Sequence, residues 1–152
     1  NADGSGAMAI NTGSIEGRDP DWSPDETRIL FLGISSADSL YTVKPDGTDI
    51  RVIPNSAGGM NPSWSPDGTK IAFRLSVQDI CVIAPDGTGF TNLTNSPAGV
   101  QNGSPAWSPD GTRIAFWSTK DGGTDIYTMK SDGTDVRRLT TAGYNVHPTW
   151  SP

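Results

Sequence analysis

The residues that could do chemistry are few. The chain of 152 residues has one histidine, His147, and one cysteine, Cys81. A Ser-His-Asp triad would have to use His147, which stands beside Pro148. Serines are plentiful, but none sits in the Gly-x-Ser-x-Gly elbow that lifts a nucleophile above a sheet. Cys81 lies between Ile80 and Val82, the setting of a small buried hydrophobe, not of an activated thiolate. A single cysteine forms no internal disulfide. Zinc takes several His or Cys ligands, and one of each does not make a site. Calcium takes oxygens from Asp and backbone carbonyls. The places to look for it are Asp121-Gly122-Gly123-Thr124-Asp125 and Asp46-Gly47-Thr48-Asp49. Neither has the spacing of an EF-hand, and turn formation accounts for both. Glycine-rich loops cradle phosphate where they open a helix, whereas the glycines here close hairpins. The sequence therefore assigns no catalytic, cofactor-binding or metal-binding residue.

The charges point the same way. Of 17 acidic residues 15 are aspartate, and the net charge is −6. Most of these aspartates precede glycine or share its turn, so they form turns first and carry charge second. The nearest thing to a basic cluster is Arg137-Arg138, which a solvated strand edge explains. Nucleic acid, whose phosphates need neutralising, is a poor partner for such a chain. No stretch approaches the ~20 apolar residues of a membrane-spanning helix. No signal segment is visible, although the sequence opens Asn1-Ala2-Asp3 without methionine.

The elements that would position any site follow from a repeat. Trp22, Trp64, Trp107 and Trp150 are separated by 42, 43 and 43 residues. Each closes the same phrase: Asp19-Pro20-Asp21-Trp22, Asn61-Pro62-Ser63-Trp64, Ser104-Pro105-Ala106-Trp107 and His147-Pro148-Thr149-Trp150. After the tryptophan comes a turn such as Ser65-Pro66-Asp67-Gly68 and an apolar run such as Ile71-Ala72-Phe73. The second half of each unit repeats too. Leu40 to Thr48, Ile80 to Thr88 and Ile126 to Thr134 each run from an apolar strand into an Asp-Gly-Thr turn. A short closing strand follows at Ile50 to Ile53, Phe90 to Leu93 and Val136 to Leu139. Proline presets the turn, aspartate bonds its own backbone and glycine takes the left-handed angle. Two hairpins per unit make a four-stranded antiparallel sheet. A period of 40–45 residues with four strands is the blade of a β-propeller. Blades stack face to face, which predicts apolar middle strands and tryptophans 22, 64 and 107 packed between neighbours.

These residues resemble the TolB-type β-propeller repeat, a relative of the tryptophan-aspartate repeat family. Its signature is Pro-x-Trp-Ser-Pro-Asp-Gly-x-x-Ile-Ala-Phe, then Asp-Ile-Tyr-x-Met, then Asp-Gly-Thr. The resemblance covers residues 19–152. In the first unit Glu26 replaces the turn glycine and Ser39-Leu40 replaces Asp-Ile, which predicts a slightly distorted first hairpin. The resemblance implies a six-bladed ring whose members bind partner proteins in the bacterial periplasm or outside the cell, or stand in front of serine peptidases.

The expected fold is thus all-β: three complete blades plus flanking strands, half of a six-bladed ring. Residues 19–54, 61–94 and 104–140 are the blades. Residues 1–18 hold the closing strand of a preceding blade, at Ala7-Met8-Ala9-Ile10. Residues 147–152 begin a further one. The leading functional expectation is a non-enzymatic protein-interaction or scaffold module of an exported propeller. It would meet partners through the central channel or the loops that differ between repeats: Gly33–Asp38, Asn95–Gly103 and Ser118–Thr124. Alternatives are an accessory propeller of a peptidase or hydrolase, and a self-assembling subunit of an extracellular fibre. Three blades leave open faces and edges, so the partners are other proteins or further copies of the chain. The chain would be a segment of a longer propeller, half of a two-copy ring, or a unit of an end-to-end polymer.

Overall fold

The computed structural model describes residues 9–34, 38–76 and 78–151, and it is built from strands. Within these residues β1 (Glu16–Trp22), β2 (Ile29–Ile34), β3 (Ser39–Val43) and β4 (Arg51–Val52) form one antiparallel sheet in sequence order. A second sheet follows from β5 (Gly59–Trp64), β6 (Ile71–Leu75), β7 (Ile80–Ile83) and β8 (Thr91–Asn92). The third comprises β9 (Asn102–Trp107), β10 (Arg113–Ser118), β11 (Asp125–Lys130) and β12 (Arg137–Arg138). These are blades of a propeller. The first strand of the middle sheet, β5, touches both β1 and β9, while the fourth strands touch only their own third strand. The sheets therefore converge at their first strands, which line an axis, and splay at their fourth.

The burial pattern explains the apolar runs. Leu30, Leu40 and Ile53 of the first sheet meet Trp64, Ile71, Phe73, Cys81 and Ile83 of the second. The opposite face of the second sheet, Ala72, Ile80 and Val82, meets Trp107, Ile114, Phe116, Tyr127 and Met129 of the third. Successive residues of β6 and β7 point to opposite faces, and both faces are dry, so both must be apolar. Trp64 and Trp107 are each 9% exposed, as a part packed between sheets should be. Trp22 departs from the expectation and is 52% exposed, because no sheet of the described chain stands on its side.

Two further expectations meet the structure differently. Glu26 does not distort its hairpin. It takes the left-handed conformation (φ 56°) that Gly68 (φ 70°) and Gly111 (φ 69°) take, and its N–H donates to Ser23 O at 2.9 Å as theirs do to Ser65 and Ser108. The expected closing strand at residues 7–10 lies partly outside the described residues. Ile10 is described, without strand pairing, and packs on Ile29, Phe31 and Val43. The corresponding residues at the next two joints, Ile53 and Leu93, pack on the sheets that follow them. Residues 147–151 have no strand partner.

The Asp-Gly turns do more than reverse the chain. A Cβ on Gly87 would lie 2.6 Å from Pro54 Cβ and 2.7 Å from Pro54 O. On Gly133 it would lie 2.9 Å from Leu93 O. Each turn glycine thus lets its hairpin sit against the closing segment of the preceding sheet. Asn55 Nδ2 adds a hydrogen bond across the first of these joints, to Gly87 O at 3.0 Å.

Candidate functional site at the axis

The first strands carry the feature that distinguishes the axis. In β1, β5 and β9 the pairing register slips at the residue pair before the last two: at Asp19-Pro20, Asn61-Pro62 and Ser104-Pro105. Proline has no N–H to give the ladder, so an x-Pro step in a strand becomes a bulge. The residue before proline turns left-handed in every repeat. Its φ is 51° at Asp19, 48° at Asn61, 47° at Ser104 and 56° at His147. Non-glycine residues adopt this angle at a cost, and such strain concentrates where chains carry function.

These four steps line one groove of about 370 Å³, together with Asp21, Ser63 and Thr149. Asn61 Nδ2 donates to Asp19 Oδ2 at 2.8 Å. One repeat further, Ser104 Oγ and His147 Nδ1 lie 3.0 Å apart. The Ser-His pair is therefore a rung of the same ladder as the Asp-Asn pair. No carboxylate among the described residues bonds the other nitrogen of His147, and the ring is exposed. The geometry of an activated nucleophile, with its base oriented by a third group, is missing from this rung.

Asp21 works differently. Its Oδ2 accepts the Trp64 N–H at 2.7 Å, tying the first sheet to the second. Burial pushes its carboxyl above the ordinary range, partly offset by the backbone N–H groups of Trp64 and Trp22. Asp19 and Asp21 make the groove acidic, and no Lys or Arg lines it. The nearby Arg18 pairs with Glu16 at 2.7 Å.

The other positions marked in the sequence are placed as follows. Cys81 is fully buried, and burial and Asp79 raise its thiol to about 12. Each aspartate of the two aspartate-glycine stretches accepts hydrogen bonds within the chain. Asp49 accepts from Arg28 and Arg51, and Asp46 accepts the Thr48 N–H and hydroxyl. Asp121 accepts the Tyr127 hydroxyl, and Asp125 accepts Arg138 and Thr140. The variable loops emerge at the end of the sheets opposite the Asp-Gly turns; residues 35–37 of the first lie outside the described part. Sequence reasoning aligned His147 with Asn61 and Ser104 but did not foresee their left-handed backbone or their meeting in one groove. The sequence showed only that a proline stands three residues before each Ser-Pro turn, preceded by a different polar residue each time.

Comparison with known proteins agrees with this geometry. The Tol-Pal system protein TolB of Geobacter sulfurreducens is 48% identical over 71 residues, which is 46% of this chain and 16% of that protein. The crystal structure of TolB from Acinetobacter baumannii superposes with a TM-score of 0.76 at 26% identity, covering 90% of this chain and 35% of that one. A TolB-type structure from Agrobacterium tumefaciens gives 0.78 at 26% identity, covering 88% and 50%. The chain thus spans half or less of the length of these relatives. The TolB β-propeller domain model matches residues 1–152, and the chain belongs to that family.

Proposed function

We propose that the chain is a non-enzymatic protein-interaction module of an exported propeller protein, working in the periplasm or outside the cell, and that a partner's polypeptide engages its axial groove. The observation that carries this is the set Asp19, Asn61, Ser104 and His147. One strained backbone position recurs in four repeats, faces one groove, and bears four different polar side chains. A purely architectural position would favour one residue type, as the tryptophans do. Variety in a fixed frame suits recognition. The acidic lining favours a segment that brings hydrogen-bond donors or positive charge. The hydrolase-accessory alternative has no residue of this chain in its favour.

A photo-crosslinking amino acid at Asn61 or Ser104 tests the proposal, with Thr69 and Thr112, in the turns after the same strands and outside the groove lining, as controls. In an envelope extract of the source cells, discrete adducts should form from the axial positions and not from the turns. Adducts from the turns alone, or equally from both, would contradict it.

A second reading, association with further copies, has its own observation. Leu139 is 59% exposed, whereas Ile53 at the same place in the first sheet is 2% exposed. The open outer face of the third sheet lacks the cover that the first two have.

A further inference from the structure

Ser39, Asp79 and Asp125 hold the same place at or just before the start of the third strand of their sheets, and the two aspartates reach residues of their own fourth strand. The two aspartates are buried, Asp79 to 7% exposure and Asp125 to 2%. Their settings match nearly atom for atom. Asp125 Oδ1 accepts the Thr140 hydroxyl at 2.9 Å, and Asp79 Oδ1 accepts the Thr94 hydroxyl at 2.7 Å. They differ in two partners: the Ser96 N–H, which donates to Asp79 Oδ1 at 3.0 Å, has no counterpart on Asp125 among the described residues, and the donor to Oδ2 is not the same. Asp125 Oδ2 accepts from the guanidinium of Arg138 at 2.6 Å. The position of Arg138, opposite Tyr127 in the ladder, is held in the second sheet by Asn92, opposite Cys81. Asn92 Nδ2 reaches Asp79 Oδ2 at 2.7 Å but brings no charge.

Asp79 is thus a buried carboxylate with neutral donors only: Asn92, Thr94 and the Ser96 N–H and hydroxyl. No Lys or Arg among the described residues pairs with it, and every Lys and Arg of the chain is described. Buried charges are ordinarily paired. Desolvation opposes ionisation here, but the hydrogen bonds outweigh it and hold the carboxyl below its usual range. A carboxylate offers about four lone-pair directions. Beside it opens a cavity of about 520 Å³ lined by Asp79, Gln78, Ser96, Pro97, Val100 and Gln101 among others, none of them cationic. Its wall is fixed by Asn102, whose side chain donates to Gln78 O at 2.9 Å and Ser96 Oγ at 2.8 Å.

We propose that this cavity, away from the axis, is a recognition site for an arginine side chain of a partner, with Asp79 as its anchor. The chain itself shows the pairing: in the third sheet the Arg138 guanidinium bonds the corresponding carboxylate of Asp125 and reaches toward Asp121, 4.0 Å away, whereas in the second sheet Asn92 holds that ladder position and leaves the cavity side of Asp79 for a guanidinium. In the second sheet that guanidinium comes from outside. Pro97 and Val100 in the lining suit an aliphatic stem. The site is independent of the axial groove, so the two readings fail separately.

The test is an NMR titration of the chain with N-acetyl-arginine methylamide, using the citrulline analogue as the uncharged control. Saturable shifts centred on Asp79 and residues 96–101 are expected, with millimolar affinity, on the order of −4 kcal/mol. The Asn92→Arg variant supplies the guanidinium internally and should weaken binding at least about tenfold, an affinity difference of about 1.4 kcal/mol. Asp79→Asn should do the same, and Asn92→Arg keeps the test decisive should that variant unfold. Absence of saturable shifts, equal binding of the citrulline analogue, or unchanged binding in Asn92→Arg would overturn the proposal.

Discussion

Asp21 and the turn aspartates show how one residue type serves opposite purposes. Asp67 and Asp110 sit in Ser-Pro-Asp-Gly turns, where the serine hydroxyl and the threonine two residues on donate to them and hold their carboxyls low. Asp21 is half-buried, and burial raises it. A carboxyl whose folded pKa exceeds its unfolded value stabilises the fold below the unfolded pKa, and that contribution is lost as pH rises through the folded one. At neutral pH its charge is therefore a cost. Asp21→Asn keeps a carbonyl oxygen for the Trp64 N–H and removes the charge. Its melting temperature should exceed that of the parent near pH 7, with the gain shrinking to nothing near pH 3, below the ordinary carboxylate range of about 4. Thermal melts across that range check both the sign and its disappearance. The sequence showed that position 21 differs from Ser63, Ala106 and Thr149 in the same frame. It did not show that the carboxylate reaches across to the next sheet, because that contact joins residues 43 apart. Glu26 teaches the reverse lesson. Residue type argued for distortion, yet the surrounding turn imposes the left-handed angle on glutamate unchanged.

At the scale of the element, the turn glycines separate two roles that sequence alone merges. Gly68 and Gly87 both have left-handed φ, 70° and 83°. A Cβ on Gly68 would meet nothing nearer than 3.9 Å, whereas on Gly87 it would strike Pro54. Gly68→Ala should cost only the left-handed strain of about 1–2 kcal/mol. Gly87→Ala adds a collision with the backbone of the neighbouring sheet and should cost about 3 kcal/mol or more. Urea denaturation of the two variants checks the difference; equal costs would mean that the second hairpin does not press on its neighbour. The strands and turns themselves were legible, because proline, aspartate and glycine recur at fixed offsets from each tryptophan. The closing strands pair over two residues each, less than their apolar runs suggested; just beyond them Ile53 and Leu93 still donate to Leu40 O and Ile80 O while their side chains pack on the sheets that follow. The left-handed x-Pro steps were not legible, since proline normally drives the preceding residue to extended backbone.

For the whole molecule, the governing fact is that a sheet with two apolar faces is hidden only between two others. The middle sheet meets that condition. The first has Trp22 exposed on its outer side, and the third has Leu139 and Tyr144 exposed. Segments at either end cover part of these faces: Ile10 and Ile15 pack on the first sheet, and the Trp150 indole N–H donates to Ala106 O at 3.0 Å. The remaining apolar surface should draw copies of the chain together. Sedimentation velocity over a concentration series from about 1 to about 100 µM measures this directly. The prediction is a sedimentation coefficient that rises with concentration and falls back toward the monomer value in Leu139→Asp. A single 16.0 kDa species across the series, with cooperative melting, would contradict the claim that these sheets need neighbours on both sides.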